Sequence, residues 1–204
     1  MRQPPLEVAD TALYKQIAHL EAAVELNLQF KHLLEGLADN FYPICYVAGG
    51  AVFQSVWNRL HGFKIDYGLN DFDIVYYDPD TSWDAENAVI ERLKERFPDY
   101  PLDVKNVARA HLWKKDLYGR EFPEAKSVEE GIRMFGITCA AVGVRRSGVS
   151  FVIYAPFGLN DIFAREVVLD VRAAHRFTAD EYRDKTDSWK RRWPEIKVHP
   201  HPYG

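Results

Sequence analysis

The chain has 204 residues, 47% of them hydrophobic and 14% aromatic, so it can bury a core and is not a disordered chain. Its net charge of −4 argues against a general polyanion-binding role. Cys45 and Cys139 lie in apolar runs without a CxxC pattern, which indicates buried thiols rather than a disulfide or a zinc site. Without a signal-peptide pattern or a run long enough to span a bilayer, we expect a cytoplasmic protein with no membrane partner.

The N-terminal part is predicted to be helical. After a candidate cap at Thr11, apolar residues recur at helical spacing from Leu13 to Val24. A second helix is expected over residues 28–37. Residues 1–43 therefore form a helical extension of one domain that we expect to cover 1–204.

A glycine pair joins the next two predicted elements. Residues 44–48 form an apolar run typical of a buried strand, and Gly49-Gly50 follows it directly. An amphipathic helix comes next and is expected to end near Gly62. A helix that begins at the glycine pair presents unpaired N–H groups, which favour an anion.

The remaining elements alternate between strands and capped helices. Strands are predicted over 71–77 and 102–107, with a helix capped by Ser82 between them. Ser-x-x-Glu and Thr-x-x-Glu patterns at Ser127 and Thr178 predict two further helices. The last predicted features are a hairpin and a mobile tail, over residues 137–144 with 149–154 and over 197–204. Together, the predicted helices and strands indicate an α+β fold in which helices pack on a short mixed sheet.

Two aspartates, Asp71 and Asp73, lie one residue apart at the start of the predicted strand 71–77. In a strand, alternate side chains point to the same face, so both carboxylates can aim at one spot while Phe72 and Ile74 face the core. Two convergent carboxylates are typical of a Mg²⁺ site that also receives phosphate oxygens. The alternative is a strand that simply ends in an acidic loop.

A third acid strengthens the interpretation as a metal site. Asp103 is a single carboxylate inside the apolar strand predicted over 102–107, and a lone buried aspartate is costly unless it is paired or bound to metal. If the two strands are neighbours, the three carboxylates form one cluster. In the alternative, Asp103 faces solvent and pairs with Lys105 or Arg109.

These residues resemble the DNA polymerase β-type nucleotidyltransferase superfamily, and more narrowly a bacterial nucleotidyltransferase-like family without an assigned substrate. The resemblance runs from about Ile44 to Trp193. It rests on Gly49-Gly50, on residues 70–78, 103–106, 109 and 111–113, and on residues 154–161.

The resemblance implies that Asp71 and Asp73 bind two divalent metals, Mg²⁺ or Mn²⁺. It implies that Asp103 binds the metal nearer the acceptor and helps to deprotonate the attacking group. Three features depart from the superfamily pattern: Gly50 replaces a common serine, Phe53 stands where the tRNA-maturing members have an arginine, and the stretch from Gly50 to Asp71 is long and contains an expected inserted loop.

Several further residues are candidates for nucleotide contacts. The backbone of Gly49 and Gly50 could approach the phosphates of an NTP closely. Lys105, Arg109 and His111 could contact the triphosphate or the acceptor, although ordinary ion pairs at a solvated edge explain them equally well. Thr138 could reach the nucleotide sugar, or simply favour a strand.

The sequence therefore predicts a metal-dependent nucleotidyltransferase that moves an NMP from an NTP to a small-molecule or protein hydroxyl and releases pyrophosphate. One alternative is a non-catalytic nucleotide- or metal-binding module with the same fold. Another is an RNA-modifying nucleotidyltransferase, for which the basic segment Lys190-Arg191-Arg192 is the supporting feature. The net charge of −4 and the absence of a separate RNA-binding body argue against a nucleic-acid partner.

Overall fold

The computed structural model describes residues 8–38 and 43–204. The helices are α1 Leu13–Leu26, α2 Leu28–Gly36, α3 Gly50–His61, α4 Trp83–Arg96, α5 Ala110–Tyr118, α6 Val128–Arg133, α7 Asn160–Ala164 and α8 Ala179–Arg192. The strands are β1 Cys45–Ala48, β2 Phe72–Tyr76, β3 Leu102–Asn106, β4 Gly143–Ser147, β5 Ser150–Tyr154, β6 Glu166–Val167 and β7 Lys197–Val198.

The main sheet has five strands in the order β3-β2-β1-β4-β5. β2 and β3 run parallel, whereas β1 is antiparallel to β2 and to β4, and β4 is antiparallel to β5. The parallel pair is joined through α4, as a crossover connection requires. The mixed sheet with helices on it confirms the predicted α+β fold class.

The two faces of the sheet bury different sets of side chains. The larger core joins one face of β1 and β2 to α1, α2, α3 and the C-terminal helix, with Trp57 and Trp193 fully buried inside it. The smaller core packs the opposite face against α6 through Val75, Ala48 and Ile132. The alternation of side chains along β2 brings Asp73 to the same side as Val75, and both line a cleft on that face.

Several local signals act as the sequence predicts. The side-chain oxygens of Ser82, Ser127 and Thr178 accept from the backbone N–H groups three residues further on. At Thr178 the capping box is complete, because the Glu181 carboxylate also accepts from the Thr178 N–H. At Ser127 the reciprocal bond is absent, and Glu130 instead accepts from the backbone of Lys126 at 2.8 Å.

Two predicted local features are wrong. Thr11 does not cap α1, because its hydroxyl donates to the Val8 carbonyl at 2.8 Å and the helix begins after Ala12. The strand expected over 137–144 begins only at Gly143, because the preceding apolar residues fold into turns such as Ala141 N–H to Ile137 O at 2.9 Å. Those residues are buried as a loop, which a run of apolar side chains alone cannot distinguish from a strand.

The C-terminal tail, expected to be mobile, is instead paired. β7 runs parallel to β6, and its flanking N–H groups bond to the carbonyls of Arg165 and Val167 at 2.8 and 2.9 Å. The Tyr182 hydroxyl donates to the His199 carbonyl at 3.0 Å. These hydrogen bonds fix part of the segment 197–204, whose proline and histidine content had suggested a mobile tail.

Asn106, at the end of β3, is fully buried and uses its whole side-chain amide. Its Oδ1 accepts from the N–H groups of Asp78 and Ala108, and its Nδ2 donates to the carbonyls of Asp78 and Asp80, all between 2.9 and 3.2 Å. The Asn106 backbone N–H donates to the buried Glu86 at 2.8 Å. This network ties the exits of the two acid-bearing strands together.

Asn106→Ala is expected to lower the free energy of unfolding by about 2–4 kcal/mol, because it leaves several buried backbone groups without partners. Urea unfolding followed by tryptophan fluorescence measures the change. The control is Asn87→Ala on α4, whose side chain makes no hydrogen bond among the described residues and should cost no more than about 0.5 kcal/mol. Equal effects of the two substitutions would contradict the role of the network.

Candidate functional site

The three predicted acids lie along the wall of one cleft of about 660 Å³. Asp73 in β2 stands in parallel register with Asp103 in β3, so the two side chains share one face of the sheet. Asp71 precedes β2 by one residue and lines the same cleft. The structure therefore brings together the three residues that the sequence pattern selected.

The negative charges of Asp71 and Asp103 act on the Asp73 carboxyl. The pKa of Asp73 is raised from 3.8 to about 6, mainly by burial and then by the negative charges of Asp71 and Asp103. Lys105 and Lys185 oppose that shift without cancelling it. The site thus holds negative charge that the protein itself does not fully neutralise.

The glycine turn faces this acidic wall. Gly49 has φ 60° and ψ −120°, a conformation open to glycine, and a Cβ there would lie 3.0 Å from the Phe135 ring and 3.4 Å from Asp73 Oδ2. Gly50 opens α3, and a Cβ on it would meet the Gln54 amide at 3.1 Å.

The Gly49 N–H donates to the Val142 carbonyl at 2.9 Å, so it is already used. The N–H groups available to an anion are those of Gly50 and Ala51, in the first turn of α3, where no intrahelical acceptor exists. The backbone donors that remain for a phosphate are therefore those of Gly50 and Ala51, and not those of the glycine pair as predicted.

Asp103 also has the partner that the alternative interpretation named. The Lys105 ammonium contacts Asp103 Oδ2 from the next inward-facing position of β3, and it lies 5.3 Å from the centroid of the Trp113 ring. Asp103 is thus both part of the acidic face and paired with Lys105. Lys105 lines the cleft, as predicted for a nucleotide contact.

Two other predicted nucleotide contacts, Arg109 and Thr138, are engaged with acids inside the protein. Arg109 is not among the cleft-lining residues, because its guanidinium pairs with the buried Glu86 beneath the exit of β3. Thr138 is also outside the cleft lining, and its hydroxyl donates to Asp161 Oδ2 at 2.5 Å. Both side chains serve internal hydrogen bonding, which sequence patterns could not reveal.

The structure adds basic residues to the cleft that the sequence did not single out. They come from three separate elements: Lys114 from α5, Arg176 from the turn before α8, and Lys185 from α8. Burial and the charges of Arg176, Lys185 and Lys105 lower the pKa of Lys114 to about 8. Lys185 keeps exposed surface inside the cleft, yet the surrounding protein lowers its pKa despite the nearby Asp73.

The loop between α3 and β2 leads directly to Asp71. Asn58 in α3 donates to the carbonyls of Ile65 and Tyr67 at 3.1 and 2.8 Å, and its Oδ1 accepts from the Trp193 indole at 2.7 Å. Arg192 donates to the Gly68 carbonyl at 2.8 Å. The loop is therefore anchored between α3 and the end of α8, and the chain enters β2 from a fixed point.

The residues present fit a divalent cation by their chemistry. Three carboxylates on one wall are the oxygen donors that Mg²⁺ and Mn²⁺ prefer, and the raised pKa of Asp73 reflects charge that a cation would offset. Within the described ranges, no three His, Cys, Asp or Glu side chains already stand in a metal-holding arrangement. The Lys105 ammonium, which contacts Asp103, competes with a metal cation for that carboxylate.

The chain belongs to a family described as nucleotidyltransferase, whose model matches residues 37–198. The matched region contains the glycine turn, the three acids and α8. The resemblance noted from the sequence is thereby confirmed at the level of the family.

A solved structure described as "a CCA-adding enzyme head domain" shares the fold, with a TM-score of 0.69 and 21% sequence identity over 95% of this chain and 98% of that chain. At that identity the likeness concerns the fold alone. The search of curated proteins gave no match. Among helices of the described residues, none has the length and apolar character needed to cross a bilayer.

Proposed function

We propose that this protein transfers a nucleoside monophosphate from an NTP to a hydroxyl acceptor and releases pyrophosphate, using divalent metal ions. The observation that carries the proposal is that Asp71, Asp73 and Asp103 line one cleft together with the glycine turn at the start of α3. Membership of a nucleotidyltransferase family supports the reaction class.

Each part of the site has a proposed task. Asp71, Asp73 and Asp103 would hold Mg²⁺ or Mn²⁺, which when bound neutralises phosphate charge and polarises the oxygens around the transferred phosphorus. The N–H groups of Gly50 and Ala51 would donate to phosphate oxygens. These groups are fixed by the fold before the substrate arrives, so they contribute by positioning and electrostatics.

The bond changes assign a task to Asp103. The acceptor oxygen forms a bond to the α-phosphorus, and the bond from that phosphorus to the oxygen bridging to the β-phosphate breaks. The acceptor proton passes to the Asp103 carboxylate, while pyrophosphate leaves with the broken bond's electron pair. Lys105 contacts Asp103 at Oδ2, so Oδ1 is the oxygen that we propose takes the proton.

We propose that the acceptor is a small molecule or a protein hydroxyl. The basic segment near the end of α8 is largely engaged within the protein: Lys190 donates to the Ile196 carbonyl, and Arg192 donates to the carbonyls of Ser188 and Gly68. Such contacts favour a structural role over a nucleic-acid surface. The described CCA-adding activity of the structural neighbour keeps an RNA acceptor as the competing candidate.

Incubation with each α-labelled NTP and Mg²⁺, together with fractionated metabolites, proteins and RNA, tests the proposal. We expect pyrophosphate release and label on a small-molecule or protein fraction, both lost in Asp71→Asn/Asp73→Asn. Label that appears only on RNA would favour the competing acceptor. If the protein binds NTP but releases pyrophosphate with none of the fractions, a non-catalytic binding module would be favoured.

Mg²⁺ or Mn²⁺ is expected to raise the melting temperature of the wild-type protein, and more so with NTP present, because both bind only the folded state. A free ligand concentration of 100 times Kd corresponds to about 2.7 kcal/mol added to the free energy of unfolding. Asp71→Asn/Asp73→Asn should remove the shift. A wild-type melt that metal and nucleotide leave unchanged would contradict the metal site.

A further inference from the structure

One wall of the cleft presents hydrogen-bond donors without acceptors. α5 directs Lys114, Trp113 and His111 to the cleft, and Arg176 approaches from the turn before α8. The Trp113 indole N–H and the Arg176 Nε–H are buried donors, and His111 Nδ1 is a buried ring nitrogen, and none of the three has a partner among the described residues. Buried polar groups in native proteins are normally paired, so three unpaired groups that line one cleft point to a ligand that supplies partners.

Lys114 on this wall has no carboxylate among the charges that act on it. In the described part of the chain, Lys114 lies 5.4 Å and 5.7 Å from the centroids of the Trp113 and Phe122 rings, and it contacts no carboxylate. Its neighbouring charges are the cations Arg176, Lys185 and Lys105, which together with burial lower its pKa to about 8. An anion placed among these cations would relieve their mutual repulsion.

The position of the wall relates it to the acceptor rather than to the NTP. The glycine turn lies at the end of β1, whereas α5 follows β3, the edge strand next to Asp103. β2 separates those strands, so the two sides of the site are about 10 Å apart at the usual strand spacing. Phosphates at Gly50 and Ala51 would therefore leave the side chains of α5 free on the far side of the acids.

We propose that the α5 wall, formed by Lys114, Trp113, His111 and Arg176, binds a phosphate or carboxylate group carried by the acceptor. The acceptor is then an anionic small molecule whose hydroxyl reaches Asp103. This inference rests on the proposed function for the reaction, and it adds the chemical class of the second substrate.

The test measures binding, without turnover. Protein saturated with Mg²⁺ and a non-hydrolysable NTP analogue is titrated with glycerol 3-phosphate, and with glycerol as the uncharged match. The Trp113 indole N–H signal, assigned with Trp113→Phe, should shift with the phosphate compound and not with glycerol. Lys114→Met should weaken that binding at least tenfold.

Lys115→Met is the matched control, because Lys115 is the adjacent lysine of α5, lies outside the cleft and pairs with the exposed Glu121 at 2.6 Å. It should leave both NTP and glycerol 3-phosphate binding unchanged. If Lys114→Met instead weakens binding of the NTP analogue, or if the analogue alone saturates the Trp113 response, the wall serves the nucleotide and the acceptor assignment is overturned.

The two proposals fail in different ways. Binding of the NTP analogue without any Trp113 response to glycerol 3-phosphate contradicts the anion subsite and leaves the proposed function standing. A Trp113 response in a protein that binds no NTP contradicts the proposed function and leaves the anion subsite standing.

Discussion

Asp73→Asn is expected to make the metal-free protein more stable at neutral pH while abolishing nucleotidyl transfer. Burial and the charges of Asp71 and Asp103 raise the pKa of the Asp73 carboxyl to about 6 in the folded state, from an ordinary value of 3.8. Ionised Asp73 therefore opposes folding. The asparagine amide keeps the shape of the side chain without the charge.

The sign of the pH dependence follows from proton linkage. Because the folded-state pKa is raised, the folded protein binds more protons than the unfolded chain between about pH 4 and pH 6, and its stability falls as pH rises through that window. Above pH 6 the full cost is present, on the order of 3 kcal/mol at 1.36 kcal/mol per pKa unit. The stabilisation by Asp73→Asn should therefore be largest near pH 7.5 and small near pH 4.

Urea unfolding in EDTA at several pH values measures the effect, and Asp116→Asn, an exposed aspartate of α5 outside the cleft lining, is the control. In Mg²⁺ the wild type should recover stability and the variant should not. Transfer activity should fall by ~10³-fold or more, because the site loses charge that acts on the transferred phosphoryl group. A variant that is less stable than the wild type in EDTA at pH 7.5 would contradict this account.

The acidic wall could be predicted from the sequence because its information is local. Alternation in a strand places Asp71 and Asp73 on one face, and an aspartate inside an apolar strand marks Asp103 as unusual. The glycine pair likewise identified the start of α3. Each signal needs only a few neighbouring residues, whereas the meeting of Asp103 with the other two acids depended on β2 and β3 being neighbours, which the structure shows.

The basic wall could not be predicted, since its members come from elements far apart in the chain. Lys114, Arg176 and Lys185 have ordinary neighbours in sequence and meet only when α5 and α8 close over the sheet. A weak signal existed in the alternation of cations and aromatic residues around Trp113. Arg109 shows the converse limit. Its position soon after Asp103 suggested a nucleotide contact, whereas in the structure its guanidinium pairs with Glu86.

The apolar run before β4 was misread for a related reason. Ile137, Cys139 and Val142 are buried, as their hydrophobicity indicates, yet their backbones form turns rather than a strand ladder. Burial and secondary structure are separate properties of a short segment. Thr138 consequently points to Asp161 and not to the cleft.

Substitutions at the two glycines of the turn are expected to have different effects. Gly49→Ala should lower the free energy of unfolding by about 2–4 kcal/mol, because an alanine is strained at φ 60° and its Cβ would press on the Phe135 ring at 3.0 Å. NTP binding by the folded fraction should change less, since the Gly49 N–H already donates to Val142.

Gly50→Val should instead damage NTP binding more than folding. Gly50 does not have a positive φ, and its nearest neighbour on the Cβ side is the flexible Gln54 amide at 3.1 Å, so we expect a stability loss of only about 1 kcal/mol. The branched side chain would cover the N–H groups of the first turn of α3, which are the groups proposed to receive phosphate. NTP affinity should fall about tenfold or more, the equivalent of about 1.4 kcal/mol.

Urea unfolding and NTP titration of both variants distinguish the two roles, with Gly62→Ala as a control for a positive-φ glycine at the other end of α3, where a Cβ meets nothing within 4 Å. That control should lose some stability and keep its NTP affinity. If Gly50→Val binds NTP as the wild type does, the turn is only a connection between β1 and α3. The phosphate contacts would then have to come from the cations of the cleft, because the backbone would have no part in holding the nucleotide.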